Sequence, residues 1–209
     1  MNKPKVLITP LCGLERGQWL NPTLAVSLAT MKCDPRFDVE IQLALGLSPV
    51  DYARNTCVAA AREKQVTWLL MVDADQTLPQ NPLDVLAEAS PQIDAVGLAC
   101  GISLDNGRSF HLNCNFLPGV SDGNFMGVSK IGTGVMALRD SVWRTLPRGP
   151  WFVTERADDE LLTVTKSEDI HFCEIARACG LKLWAHRAGA GHLKTTDLTA
   201  FAMQAMQRR

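Results

Sequence analysis

Residues 67–77 read Thr67-Trp68-Leu69-Leu70-Met71-Val72-Asp73-Ala74-Asp75-Gln76-Thr77. Five apolar residues in a row that stop abruptly at a carboxylate have the pattern of a strand buried on both faces, as strands are in a parallel sheet covered by helices on each side. The flanking segments agree. Upstream, Ser48-Pro49 supplies a cap residue and a proline, with Asp51 three residues after the cap. A helix from there carries Val50, Ala53, Cys57 and Ala60 inward. Before it, Val39, Ile41 and Leu43 alternate with Glu40 and Gln42 as a strand does. Leu24, Leu28 and Met31 fall at helical spacing after the Asn21-Pro22 start signal, and residues 5–9 form a short apolar strand. Downstream, Asn81-Pro82 opens a third helix.

The alternation of strand and helix over the first hundred or so residues predicts an α/β fold with a mostly parallel central sheet and helices on both faces. After residue 99 the pattern changes. Phe110, Leu112, Cys114 and Phe116 alternate, glycines crowd positions 119–134, and no long amphipathic helix appears before Ser167, which predicts an antiparallel extension of the sheet. A helix over 168–179 is closed by Gly180. A last strand over 181–185 then precedes a small-residue loop at 189–192, and a final helix from Leu198 carries Phe201, Ala202 and Ala205 on one face.

Composition narrows the class. Of the 209 residues, 46% are apolar and 21% charged, the balance of a globular domain and not of a disordered, collagenous or disulfide-framed chain. Lys and Arg number 21 against 22 Asp and Glu, so no global cationic field exists to hold a polyanion. The apolar run at 68–72 is far short of the ~20 residues of a membrane helix. Val6-Leu7-Ile8 before Thr9-Pro10 is too short an apolar run for a secretory signal, so a cytoplasmic protein is expected. The seven cysteines, at 12, 33, 57, 100, 114, 173 and 179, include no CxxC pair and read as reduced, buried thiols.

Ligands of such sheets bind beyond the carboxyl ends of the strands, which is where Asp73 and Asp75 stand. Two carboxylates there suit a hard divalent cation that neutralises a diphosphate; a solvated acidic turn is the alternative. Glu168 and Asp169 open a helix, where they serve the dipole and cap or, aimed into a cleft, a general base. Asp158, Asp159 and Glu160 read as solvated surface. His192, in Gly189-Ala190-Gly191-His192, is placed to reach a metal or is an ordinary loop histidine.

The order of these parts is more specific than any one of them: Asp-x-Asp after the third strand, Gly132-Thr133-Gly134, Glu168-Asp169 before a helix that ends at Gly180, and Gly191-His192. From about Val6 to His192 the sequence resembles the GT-A glycosyltransferases, in particular the family 2-like enzymes and their small soluble relatives in bacteria and phages. The resemblance implies one catalytic domain over 1–209, with a nucleotide-sugar half at about 1–100 and an acceptor half at about 101–209. It implies that Asp73 and Asp75 hold Mn²⁺ or Mg²⁺ and the nucleotide, that His192 completes the metal shell, and that Asp169 is the base of an inverting transfer with Glu168 beside it. Thr9, Pro10, Arg54 and Asn55 match positions that meet the nucleotide. Gly132, Thr133 and Gly134 let backbone approach the donor sugar, and Trp151-Phe152 stacks on a sugar or lies in the core.

A UDP-sugar is the default donor. The acceptor is a glycan, a lipid head group or a hydroxylated DNA base, and DNA would need a basic face drawn from Arg139, Arg144, Arg148, Arg156, Lys194, Arg208 and Arg209. Two rivals stand beside this reading. Residues 70–77 also fit the Asp-x-Asp-x-Thr motif of haloacid-dehalogenase-like phosphatases, and a catalytically silent nucleotide-sugar-binding protein could keep the same fold.

Overall fold

The computed structural model describes residues 3–12, 20–78, 81–104, 109–158 and 162–192. In its first half β1 (Lys5–Cys12) is followed by α1 (Pro22–Lys32), β2 (Asp38–Ile41), the two-residue β3 (Ala44–Leu45) and α2 (Val50–Glu63). Next come β4 (Trp68–Asp73), the two-residue β5 (Gln76–Thr77) and α3 (Leu83–Glu88). The second half holds β6 (Ala95–Leu104), β7 (Ser109–Leu112), β8 (Cys114–Asp122), β9 (Phe125–Ile131), β10 (Val135–Arg139) and α4 (Asp140–Thr145). A small hairpin of β11 (Glu155–Arg156) and β12 (Val164–Lys166), then α5 (Glu168–Ala178) and β13 (Leu183–His192), complete it. The proposed terminal helix from Leu198 lies outside the described residues.

All the strands but β11 and β12, which pair with each other, join in one large sheet whose main path runs β2-β1-β4-β10-β6-β13-β9-β8. Strands β2, β1 and β4 are mutually parallel, as are β6 and β13. The expected antiparallel extension is present at one edge, where β8 pairs with β9 and β9 with β13. The extension is not confined to that edge: β10 runs antiparallel in the middle of the sheet, between β4 and β6. Its sequence explains the placement, because Val135, Met136, Ala137 and Leu138 are all buried, as a strand covered on both faces must be.

Each central strand feeds both layers. Along β4, Trp68, Leu70 and Val72 face the core under α1 and α3, while Leu69 and Met71 face the core under α2, α4 and α5. Period two in the strands and 3.6 in the helices therefore meet on both sides. Under α5, Phe172 is fully buried and stacks on Phe152 with ring centroids 4.8 Å apart. Phe172→Ala should cost about 3–5 kcal/mol, read as a lowered urea midpoint, because it empties a site closed on every side.

Several local expectations change. Pro49, not Ser48, stands at the α2 cap, and Asp51 supplies the first-turn acceptor, taking hydrogen bonds from the Tyr52 and Thr154 N–H groups. Val50 faces outward, 40% exposed, because the helix begins with it and its buried face starts at Ala53 and Arg54. Leu43 lies past the end of β2 and is exposed. Residues 189–192 are not a loop: β13 continues through them after an irregularity between His186 and Ala190, and Gly191 and His192 pair with Thr77 and Gln76 of β5. Gly191 fits there because a Cβ would stand 2.1 Å from Thr77 Oγ1. All seven cysteines are free; Cys33 and Cys179 are exposed, the other five buried.

Candidate active site

The acidic turn after β4 is held by backbone and by one asparagine. Asp73 N–H donates to Gly134 O at 2.8 Å and Ala74 N–H to Leu11 O at 3.1 Å. Asn21 caps α1 by accepting from Leu24 N–H. Through Nδ2 it also donates to Ala74 O and Gln76 O, each at 2.9 Å. Asn21 thus fixes both the helix and the turn that presents the two aspartates, a role the sequence signal for a cap does not carry.

Arg54 organises what lies beneath. Its side chain is 3% exposed, and every nitrogen of the guanidinium is used. Nη2 reaches Asp73 Oδ1 and Oδ2 at 3.1 and 3.3 Å, Nη1 donates to Thr133 O at 3.0 Å, and Nε donates to Glu168 Oε1 at 3.3 Å. One buried cation therefore joins the first aspartate of the turn, the Gly-Thr-Gly segment before β10 and the first residue of α5. Burial pushes the Asp73 carboxyl pKa up, Arg54 draws it down, and the charges of Asp75 and Glu168 push it up further. Arg54 lies on the inward face of α2 with Cys57, Val58 and Ala61. A charge on an apolar helical face needs buried partners, and that was the legible sign of its importance.

The second acidic pair splits. Glu168 is turned to Arg54 and is 13% exposed. Asp169 is half-buried beside it, and its Oδ1 accepts from Ser167 Oγ and from Ile170 N–H at 2.8 Å. Ser167 stands at the cap position, but its hydroxyl serves Asp169 and makes no cap hydrogen bond to the helix backbone.

Gly132 and Gly134 permit close side-chain packing. A Cβ at Gly132 would meet Asn113 Nδ2 at 2.8 Å, and one at Gly134 would meet Gln76 Nε2 at 3.1 Å. Gln76, absent from the sequence-level candidates, is buried. It directs Nε2 toward Asp75 Oδ1 at 3.4 Å, and its Oε1 finds no donor among the described residues.

Thr9 and Pro10 adjoin the acidic turn, in β1 opposite Met71 and Val72 of β4. Thr9 is buried between strands, its hydroxyl toward Leu70 O at 3.5 Å, and Pro10 is buried beside it in β1. Asn55 donates to Asp51 O and Phe152 O and accepts from Trp151 and Phe152 N–H, which commits the whole amide to backbone. Asn55→Ala should lower unfolding free energy by about 2–3 kcal/mol in a denaturant titration, because these backbone groups lose their partners. Trp151 and Phe152 are core residues, 3% and 1% exposed, and present no ring to a sugar. Asp158 is exposed, as expected, and residues 159 and 160 lie outside the described residues.

The basic face proposed for DNA loses two members. β10 runs from Val135 opposite Val72 to Arg139 opposite Trp68, so Arg139 and the following α4 with Arg144 lie at the far end of the sheet from Asp73. Arg139 also packs over the Trp68 ring at 4.5 Å. Lys194, Arg208 and Arg209 lie outside the described residues.

Among the described residues no three His, Cys, Asp or Glu side chains group as a closed metal site. The donors on offer are hard oxygens, from Asp73, Asp75 and the orphan Gln76 carbonyl, with both Asp73 oxygens turned to Arg54. This set fits a hard divalent cation. The β5–β13 pairing sets the His192 backbone in register with Gln76, one residue from Asp75.

No protein-family model and no curated protein matches the chain. Solved structures do. The chain is similar to A197 from STIV, at 15% identity over 91% of this chain and 86% of that one, with a TM-score of 0.60. It is similar to a mutant of the Drosophila β-1,4-galactosyltransferase 7 in complex with manganese, UDP-Gal and xylobiose, at 10% identity over 99% and 80% of the two chains, TM-score 0.54. A third is CMP:2-keto-3-deoxy-manno-octonic acid synthetase complexed with CTP, at 12% identity over 99% of both chains, TM-score 0.51. The architecture is that of the GT-A glycosyltransferases, a fold shared with nucleotidyltransferases.

Proposed function

We propose that this chain, a protein of GT-A fold, is a cytoplasmic, divalent-cation-dependent glycosyltransferase that takes a nucleotide sugar, by default a UDP-sugar, as donor. The observation that carries the reading is the convergence of Asp73, Asp75, Arg54, the 132–134 segment and Glu168 at the carboxyl end of β4, where open α/β sheets bind their ligands. The complex of the Drosophila galactosyltransferase with manganese and UDP-Gal supports both the donor class and the metal.

Asp75 and Asp73, with His192, are the residues that would hold Mn²⁺ or Mg²⁺. When bound, the ion neutralises the charge that develops on the departing nucleoside diphosphate. The chain's own groups do the rest. Thr133 and Gly134 carbonyls hold Arg54 and Asp73 in place behind the donor. Asp169 takes the proton of the acceptor hydroxyl as its oxygen bonds to the anomeric carbon and the bond from that carbon to the phosphate oxygen breaks, so the carbon inverts. Glu168, tied to Arg54, fixes the first turn of α5 and with it the direction of Asp169.

The acceptor is a glycan or a hydroxylated DNA base. With Arg139 and Arg144 remote, DNA has the weaker support, and DNA containing 5-hydroxymethylcytosine offered with labelled UDP-glucose should take up no label at either low or high salt. Salt-sensitive incorporation would reverse that preference.

A phosphatase using Asp73 as nucleophile has little support, since both oxygens of that carboxylate face Arg54 and the fold is of another kind. The experiment is to assay UDP-glucose hydrolysis with Mn²⁺ and with chelator, beside a phosphomonoester. The transferase hydrolyses the donor slowly with Mn²⁺ alone. Cleavage of the phosphomonoester instead would establish the phosphatase, and binding without either reaction the silent relative.

A further inference from the structure

The cluster carries three carboxylates, Asp73, Asp75 and Glu168, and one buried guanidinium that contacts two of them. An arginine does not lose its proton in a protein, so this charge is permanent. Both Asp73 oxygens accept from Arg54 Nη2, and Nη1 and Nε are anchored on Thr133 O and Glu168, which leaves the guanidinium no freedom to swing away. A divalent cation brought to Asp73 would share that carboxylate with a fixed positive charge at hydrogen-bond distance. Among the described residues no three His, Cys, Asp or Glu side chains are grouped so as to hold the ion and offset the conflict.

We infer that Arg54 is a resident counter-cation of the site: it competes with a divalent cation for Asp73, so the cation is held firmly only together with a nucleoside diphosphate, whose negative charges tip the balance. This rests on the proposed function. Arg54 then acts as a positioning residue, not as the nucleotide contact that its place in the sequence implies. It keeps Asp73 and Glu168 ordered in the free protein and delays metal capture until the donor arrives.

The test is Mn²⁺ binding to the full chain, followed by calorimetry or by the loss of free-ion paramagnetic resonance signal, without nucleotide and with saturating UDP. In the native protein, UDP should tighten Mn²⁺ binding at least about tenfold. Arg54→Met, which takes the guanidinium away from Asp73 and Glu168, should bind Mn²⁺ alone at least about tenfold more tightly than the native protein and lose most of the UDP effect. Arg54→Lys keeps the charge and should keep the weak binding of Mn²⁺ alone. The native measurement decides even where Arg54→Met fails to fold: equal Mn²⁺ affinity with and without UDP overturns the inference. So does an Arg54→Met variant whose Mn²⁺ affinity matches the native one. Failure of the native protein to bind UDP, UDP-glucose or Mn²⁺ in any combination is a different result, and removes the proposed function itself.

Discussion

Asp75→Ala should abolish Mn²⁺-dependent turnover of the donor while the protein stays folded. The two halves of that expectation have separate grounds. The turn is pinned by Asp73 N–H on Gly134 O, by Ala74 N–H on Leu11 O and by Asn21 on the Ala74 and Gln76 carbonyls, none of which involves the Asp75 carboxylate. Its loss removes a metal ligand and the Gln76 Nε2 contact, while these bonds still hold the turn. The fall in rate should exceed the roughly 10–100-fold that loss of a merely supporting partner costs at a metal site. Asp73→Ala should also cripple turnover, but with destabilisation, since Arg54 would keep only Glu168 and Thr133 O; breaking one link of a buried ion pair costs up to about 3 kcal/mol. Donor hydrolysis with Mn²⁺ and a thermal unfolding curve on each variant measure both effects. Near-native turnover by folded Asp75→Ala would remove Asp75 from the metal site.

Asp169→Asn should leave donor binding intact and lower transfer by a factor on the order of 10² or more, the size of effect expected when a general base is lost. The substitution keeps an acceptor oxygen for Ser167 Oγ and Ile170 N–H, so the first turn of α5 should survive. Glu168→Gln should do less harm, because an amide oxygen still accepts from Arg54 Nε. Steady-state rates together with donor titrations separate the cases. A loss of donor affinity at unchanged turnover would count against Asp169 as the base.

Much of the fold was legible in the sequence because periodicity and capping are local signals. β4 and α1 lie where the apolar run and Asn21-Pro22 placed them, and α5 ends before a Gly180 at φ +82°, as its terminator implied. What escaped was non-local. Nothing around residues 135–138 says that an antiparallel strand will enter the middle of a parallel sheet, since that depends on which neighbours remain unpaired after the β8–β9 hairpin. Gly189 to His192 looked like a loop because small residues carry no strand preference of their own; the pairing with β5 decides it.

At the site, the carboxylates were visible as types at spacings, while the groups that orient them were not. Asn21 declared only its cap, Gln76 declared nothing, and the three partners of Arg54, 19, 79 and 114 residues away in sequence, lay beyond any local signal. Asn55, its neighbour, turned out to serve the 151–152 backbone through side-chain bonds spanning nearly a hundred residues.

The measurement that bears most directly on the whole account is a thermal-shift panel of nucleotide sugars, each with Mn²⁺ and with chelator. A ligand at about a hundred times its Kd adds roughly 2.7 kcal/mol to the native state. For a chain of this length that is a rise of several degrees in Tm. The account predicts such a rise for at least one nucleotide sugar, UDP-glucose or a related UDP-sugar first, present with Mn²⁺, abolished by chelator and absent in Asp75→Ala. A panel in which no nucleotide sugar moves Tm in either condition would contradict it.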